Sequence, residues 1–427
     1  MFKKVLQGAV MGAAMFGLVG AATAAERHIN LYGASAQHLF WNDAAASFLN
    51  TKGCSSVARA SVNDKNGITR GLNCSSYGGD DIYIRYTSKA SFDGILAMKG
   101  DSSKAGADEK CNEGDPGVPS GKAGFYRKMV SESGCTWTTP PAAPGSCPSL
   151  KCVDVTLGAS DVAGESFTQA SSGQLKGPLG GGAVTRSFSG ISTTGLDHYN
   201  PLVVPFGFFV NNSVEKDGAV LQNITRLMAT MIFSGQAWYW TDFGQNFSDL
   251  PIVACFRHAG SGTHATIDYA VMKGNGWGYE LAQTESTVDP TLYFNDGSSD
   301  MMKCINGSGS WSGTGAIGYA DADQAASLGS YPNVSPLKYQ GESPSRVTIR
   351  NGIYDFWSTQ WLYEDPNEPN YTLTHPVVTQ LMDFAANPAN VPASKAQWWA
   401  TKKEMVYMKA TDQQYPGYVG AEDPQTP

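Results

Sequence analysis

One order of patterns recurs along this chain and constrains its fold: an apolar strand pattern, a turn of small or hydroxyl residues, and a helical pattern. Residues 28–32 form the first strand pattern, Gly33-Ala34-Ser35-Ala36 the turn, and residues 39–49 the helix. The order recurs over residues 82–98 and 252–272, while Gly158-Ala159-Ser160-Asp161 is predicted as the turn after another strand pattern. Alternating strands and helices predict an α/β protein with parallel sheets.

The segments between these units differ in composition. Residues 201–210 are a continuous apolar run, which predicts a buried strand passing between two lobes. Residues 100–150, rich in Gly, Pro and Ser, predict an inserted surface segment, and residues 164–196 predict a long loop. Residues 219–233 predict an amphipathic helix, with an apolar face formed by Leu221, Ile224, Leu227, Met228 and Met231.

The first 24 residues have the three parts of a secretory signal peptide. Lys3 and Lys4 precede an apolar run over residues 5–19, and Ala22-Thr23-Ala24 supplies the small residues after which a signal peptidase cuts. The alternative is a membrane anchor, which the glycines and small residues of the stretch disfavour. We therefore expect a cleaved signal peptide and a periplasmic or secreted protein.

Eight cysteines follow this segment, and an even number in an exported chain favours disulfides. Proximity along the chain predicts the pairs Cys54 with Cys74, Cys111 with Cys135, Cys147 with Cys152, and Cys255 with Cys304. No C-x-x-C spacing occurs, which argues against thioredoxin-type redox chemistry, zinc knuckles and c-type haem. We expect neither a cofactor nor a metal site.

Charge and motif content argue against two further classes. The net charge of −8 disfavours a nucleic-acid binder, whose affinity comes from Lys and Arg. A secreted phosphatase lacks support, since the sequence holds neither a G-x-S-x-G turn nor an H-E-x-x-H spacing. We therefore do not expect an enzyme.

The strongest candidate for a binding site follows the strand pattern at residues 252–256. Arg257 and the turn Gly260-Ser261-Gly262-Thr263 combine a guanidinium, hydroxyl donors, and glycines that let the backbone approach a ligand. Such a turn could hold an anion at a helix N-terminus, or it could be an ordinary capped turn. The similar turns elsewhere favour the anion, because ligands of open α/β sheets lie beyond the carboxyl ends of the strands.

Taken together, these stretches resemble the periplasmic phosphate-binding proteins of phosphate ABC transporters, which have the two-lobed type II fold. The matching stretches, in the family's order over most of the chain, are Gly33-Ala34-Ser35-Ala36, Ser91-Phe92-Asp93-Gly94-Ile95, Gly158-Ala159-Ser160-Asp161, Ile232-Phe233-Ser234-Gly235 with Trp240, residues 257–263, and Gly315-Ala316-Ile317-Gly318-Tyr319. The resemblance implies that the oxyanion contacts Ser91, Asp161, Arg257, Ser261, Gly262 and Thr263.

Two positions depart from the family pattern. Gln37-His38-Leu39 stands where the family has Thr-Phe-Pro, and we add Gln37 and His38 to the candidate ligand-binding residues. Ala259 stands where the family has an Asp two residues after the binding Arg.

Asp161 is the candidate that bears most on the ligand. A carboxylate repels an anion unless the anion carries a proton to donate, as phosphate does at neutral pH and sulfate does not. Asp161 is therefore predicted to select protonated oxyanions. Its alternative role is a helix cap.

The sequence thus predicts a two-lobed α/β protein with mixed sheets, crossover strands and disulfide-stapled insertions. Lobe 1 is expected from residues 25–203 and about 341–427, and lobe 2 from residues 204–340. The predicted function is capture of phosphate or a related oxyanion between the lobes by a monomer that delivers it to a membrane ABC permease. The alternatives are an extracellular adhesion, matrix or sensing protein on the same fold, and a secreted phosphatase.

Overall fold

The computed structural model describes residues 24–167, 170–171, 186–273, 291–309 and 313–422. The predicted signal peptide, except for Ala24, lies outside these ranges, as does the central part of the loop predicted over residues 164–196. No helix within them has both the length and the apolar composition needed to cross a bilayer.

The described residues form the following α-helices and strands. The helices are α1 (His38–Asn50), α2 (Ser91–Met98), α3 (Arg226–Phe233), α4 (Gly262–Ile267), α5 (Ser298–Asn306), α6 (Arg346–Arg350) and α7 (Tyr371–Ala386). The strands are β1 (Glu26–Ala34), β2 (Ser56–Asn63), β3 (Asn66–Cys74), β4 (Asp80–Lys89), β5 (Tyr126–Val130), β6 (Gly145–Ser146), β7 (Leu150–Asp154), β8 (Leu157–Ser160), β9 (Ala170–Ser171), β10 (Arg186–Ser187), β11 (Asp197–Tyr199), β12 (Leu202–Asn211), β13 (Glu215–Lys216), β14 (Ala219–Val220), β15 (Asn223–Ile224), β16 (Val253–Arg257), β17 (Thr291–Asn295), β18 (Ala316–Asp321), β19 (Val334–Tyr339), β20 (Trp357–Thr359), β21 (Trp361–Glu364), β22 (Ala400–Thr401), β23 (Tyr407–Met408) and β24 (Gly417–Tyr418).

One lobe is built on a sheet with the strand order β11-β21-β8-β1-β4-β3-β2-β6. At its centre β1 pairs in parallel with β4 and β8, whereas β3 pairs antiparallel with both β2 and β4. Helix α1 packs on β3 and β4, and α2 packs on β1 and β8. The buried residues Phe40, Ala44 and Phe48 repeat every four positions along α1, which is the spacing of one helix face.

The other lobe is built on a sheet with the order β15-β19-β12-β18-β16-β17. Every residue of β12 is buried, as its apolar run predicts, and β20 and β22 also pair with this strand. Strand β16 pairs in parallel with β17 and β18, so the carboxyl ends of these three strands lie at one edge.

The predicted fold class is confirmed: the chain has two lobes with mixed sheets, and disulfides staple the segment between α2 and β8. Strand β11 of the first sheet ends at Tyr199 and β12 of the second begins at Leu202, so the chain crosses between the sheets there. We propose residues 25–203 with about 341–427 as the bounds of the first lobe, and residues 204–340 as those of the second.

Two details of the sequence prediction are wrong. The stretch Gly158-Ala159-Ser160 is not a turn but strand β8, whose small residues let α2 approach: a Cβ on Gly158 would lie 2.3 Å from the carbonyl oxygen of Gly94. The helix predicted over residues 219–233 is shorter in the structure and consists of α3 alone, because the residues before it pair as β14 and β15. Leu227, which was predicted on the apolar face of this helix, is 67% exposed.

All eight cysteines form disulfides, and two of the predicted pairs are confirmed: Cys54 with Cys74 and Cys255 with Cys304. The other two pairs are wrong, because Cys111 bonds Cys152 and Cys135 bonds Cys147. The pairing of strand β5 explains why Cys111 bonds Cys152 rather than Cys135. It pairs Lys128 with Cys152 on one side and Arg127 with Lys110 on the other, which brings Cys111 and Cys152 together.

We expect loss of the Cys255–Cys304 bond to destabilise the protein more than loss of Cys135–Cys147. The two bonds span 49 and 12 residues, and loop-closure entropy then predicts losses of about 4 and about 3 kcal/mol. Thermal unfolding of the two double Cys→Ala variants measures the difference. Equal or reversed melting temperatures would contradict this ranking.

Candidate functional site

Five polar residues stand at the carboxyl ends of parallel strands. Ser35 follows β1, Ser91 begins α2 just after β4, and Asp161 follows β8. In the second lobe Arg257 ends β16 and Asp321 ends β18. All five are buried. The position is the one in which open α/β sheets bind ligands.

Arg257 joins the two lobes. Its Nη1 donates a hydrogen bond to Ser35 Oγ at 3.1 Å, and its Nη2 donates to the backbone carbonyl of Asp296 at 2.8 Å. Burial lowers the pKa of the guanidinium, while the carboxylates of Asp296 and Asp161 favour its charged form. The group is therefore a fixed, buried positive charge.

Two buried donors at this place have no hydrogen-bond partner among the described residues. They are Nε of Arg257 and the hydroxyl of Thr263. A buried donor without an acceptor costs about 1–3 kcal/mol, so such groups are uncommon in structural roles.

Ser91 connects three groups through one hydroxyl. Its Oγ accepts hydrogen bonds from the backbone N–H groups of Asp161 at 3.2 Å and Gly262 at 3.1 Å, and it donates to Asp161 Oδ2 at 3.3 Å. A second cross-lobe bond runs from the N–H of Phe92 to the carbonyl of Gly260 at 3.0 Å. The first turn of α2 is thereby held against the glycine-rich turn of the second lobe.

The carboxylate of Asp161 is held by side chains on both of its oxygens. Gln37 Nε2 donates to Oδ1 at 3.1 Å, and Ser91 bonds the other oxygen. Gln37 is itself fixed, because it also donates to the carbonyl of Ser160 and accepts from Gln360 Nε2. Burial raises the pKa of Asp161 to about 6, although Gln37, Arg257 and Ser91 act in the opposite direction.

The remaining candidates are less central. Ser261 caps α4, since its Oγ accepts from the N–H of His264 at 3.4 Å. His38 Nε2 lies 2.8 Å from Asn42 Nδ2, and burial lowers the pKa of His38 to about 4. Within the described residues no hydrogen bond links His38 to the other seven candidates, and it lines a cavity of about 400 Å³ beside Arg59.

Polar contacts across the lobes surround the site. Lys65 Nζ lies 3.0 Å from Asp300 Oδ2, and Lys89 Nζ lies 2.8 Å from Asp296 Oδ2. Ser35 Oγ and Ser298 Oγ are 3.3 Å apart. In this structure the two lobes are therefore closed on each other over Arg257.

Three residues that bond Arg257 were not among the predicted ligand-binding residues: Ser35, Tyr319 and Asp296. Tyr319 accepts the Arg257 backbone N–H at 3.2 Å and lies 2.6 Å from His264 Nδ1. Asp296 supplies the carbonyl and a nearby negative charge, although Ala259 stands where the family has its Asp. A signal for Asp296 was present, because it directly follows the apolar strand pattern of β17.

Comparison with known families gives a match to the PBP superfamily domain over residues 183–389. The matched stretch contains Arg257 and the turn at residues 260–263, whereas Ser91 and Asp161 come from the chain before it.

Three solved structures of proteins that bind phosphate are similar to this chain. The phosphate-binding protein PfluDING, bound with phosphate, is 14% identical, with 87% of this chain and 89% of that chain covered and a TM-score of 0.47. A Clostridium perfringens protein with bound phosphate is 14% identical over 84% and 93% of the chains, with a TM-score of 0.46. A phosphate-binding protein from Stenotrophomonas maltophilia is 13% identical over 84% and 83%, with a TM-score of 0.41.

Proposed function

We propose that this chain is an exported binding protein that closes its two lobes on phosphate or a related protonated oxyanion and delivers it to a membrane ABC permease. The ligand is bound and released unchanged, by a monomer, in the periplasm or outside the cell. Four disulfides fit an oxidising compartment of this kind.

The observation that carries the proposal is the composition of the buried site. Arg257 supplies a positive charge with an unpartnered Nε, and Thr263 supplies an unpartnered hydroxyl. Gly262, which precedes Thr263, donates its N–H to the Ser91 hydroxyl of the other lobe. The oxygens of a small anion would accept hydrogen bonds from the two unpartnered donors, and its negative charge would pair with the buried guanidinium, which a neutral water molecule would not do.

An acidic protein can hold an anion in this way. The net charge of −8 is spread over the whole chain, whereas the site relies on one buried guanidinium and neutral donors. Fixed dipoles of hydroxyl and N–H groups stabilise an anion strongly where water is excluded. Specificity then depends on Asp161, the carboxylate that Ser91 and Gln37 hold at the site, because an ionised carboxylate favours an anion that still carries a proton.

The test is the substitution Asp161→Asn. We expect phosphate affinity to fall by about 1.5–3 kcal/mol, the worth of one charge-assisted hydrogen bond. The ratio of phosphate to sulfate affinity should fall further, because Asn can donate to sulfate whereas the Asp carboxylate repels it. Isothermal titration calorimetry with both anions measures the ratio.

The control variant is Asp80→Asn. It changes a carboxylate that pairs with Arg27 at the opposite ends of the strands, so it should leave both affinities unchanged.

The same carboxyl group, Asp161, predicts how sulfate binding by the wild type depends on pH. Sulfate affinity should rise as the pH falls from about 7.5 to about 5, because Asp161 becomes a protonated donor below its pKa. An unchanged ratio in Asp161→Asn would reduce Asp161 to a structural group, and a wild type that binds neither anion would refute the proposal.

A further inference from the structure

A second polar cluster lies at the edge of the first sheet, on elements that do not contribute to the oxyanion site. Asp197 of β11 and Glu364 of β21 are direct cross-strand partners. His375 belongs to the beginning of α7, which approaches the same edge. Three elements thus bring two carboxylates and an imidazole together.

The three side chains are close enough to share one ion. Each offers one ligand atom, and these three atoms all lie within 4.8 Å of one another. Glu364 Oε2 and His375 Nδ1 are 3.0 Å apart. Metal ligands typically lie about 2.0–2.2 Å from a bound Zn²⁺, so the cluster needs only small side-chain movements to surround one.

Neighbouring groups hold each of the three in place. Tyr199 donates to Glu364 Oε2 at 2.7 Å, and Tyr371 donates to Asp197 Oδ2 at 2.8 Å. The far ring nitrogen of His375, Nε2, lies 3.4 Å from Thr379 Oγ1. A proton held there by Thr379 leaves Nδ1 as the metal-binding atom. Such outer partners are characteristic of metal-binding histidines and carboxylates.

One oxygen of the buried Glu364 carboxylate has no partner in this cluster. Glu364 is only 2% exposed, and its Oε1 has no hydrogen-bond partner in the described part of the chain. A buried carboxylate that is only half satisfied is stabilised when a cation binds beside it.

We propose that Asp197, Glu364 and His375 bind one divalent transition-metal ion, with Zn²⁺ the best-suited probe. One imidazole nitrogen and two carboxylate oxygens match the ligand preferences of Zn²⁺, and water completes a tetrahedral site. The two carboxylates neutralise the ion. The side chain of His375 is 36% exposed, which gives the ion a path from solvent. The ion ties α7 to β11 and β21.

The test is calorimetric titration of Zn²⁺ into chelator-treated protein in a phosphate-free buffer. We expect one equivalent to bind the wild type, and affinity to fall at least about tenfold in both His375→Ala and Glu364→Gln. His198→Ala is the matched control, because His198 is an exposed neighbour of Asp197 outside the cluster and should bind like the wild type. Zn²⁺ should also raise the melting temperature of the wild type but not of His375→Ala.

Two outcomes overturn the proposal. One is the absence of stoichiometric Zn²⁺ binding by the wild type. The other is undiminished binding by Glu364→Gln, which preserves the shape of the side chain and therefore tests the ligand rather than the fold. Circular dichroism and an oxyanion titration, expected to be unchanged in both variants, establish that the variants are folded.

Discussion

Replacing Arg257 with alanine should weaken phosphate binding by about 2–5 kcal/mol, which corresponds to a fall of about 30-fold to several thousand-fold in affinity. The substitution removes the one buried cation of the site and its unpartnered Nε, so the anion loses a charge-assisted contact in a place that excludes water. Calorimetry with phosphate measures the loss.

Arg27→Ala is the matched control for this variant. Arg27 is a partly buried arginine that pairs with Asp80 at the amino ends of β1 and β4, away from the carboxyl ends of the strands. We expect its phosphate affinity to equal that of the wild type. If Arg257→Ala also keeps full affinity with an intact circular dichroism spectrum, Arg257 does not bind the anion.

Adding a single methyl group at Gly262 should keep the lobes from closing. A Cβ at this position would lie 2.5 Å from Ser91 Oγ and 2.6 Å from Asp161 Cβ, both in the opposite lobe. Overpacking of this kind costs about 1–3 kcal/mol, and because it falls only on the closed state it should weaken phosphate binding by about 5- to 150-fold. Calorimetry gives the affinity, and small-angle scattering gives the change in shape on adding phosphate.

Gly329→Ala provides the comparison, because a Cβ there meets no atom within 4 Å. It should bind and close like the wild type. The melting temperature of Gly262→Ala should stay near that of the wild type, since the clash disappears when the lobes separate. Wild-type affinity in Gly262→Ala would mean that the contact between Ser91 and Gly262 is absent from the liganded state.

The units β1 with α1, β4 with α2 and β16 with α4 could be predicted because each has a strand period, a turn and a helix period within about 20 residues. Strand β8 could not be predicted, because the Gly and Ala residues that let α2 pack closely against it are also typical of turns. The same limit applies to the disulfides. Cys111 meets Cys152 only through the pairing of β5 with β7, which is not visible in the spacing of cysteines.

The candidate site divides in a similar way. The resemblance to phosphate-binding proteins named Ser91, Asp161 and Arg257, and the strand patterns before them predicted that these residues lie near the carboxyl ends of strands. The bond of Arg257 to Ser35 and the support from Asp296 depend on how the lobes meet. His38 also lies next to a predicted turn at the end of a strand, but its side chain contacts Asn42 on its own helix instead of a site residue.

Because the lobes are closed, binding of the proposed anion would replace existing hydrogen bonds with new ones. The Ser91 hydroxyl, the Asp161 carboxylate and the Gly262 N–H already bond one another, so with an anion they gain only the difference between two sets of hydrogen bonds. The outright gain falls on Arg257 Nε and the Thr263 hydroxyl. When the anion dissociates, most of the groups that bound it can form hydrogen bonds with one another again. Release of the anion therefore leaves few polar atoms without a hydrogen-bond partner.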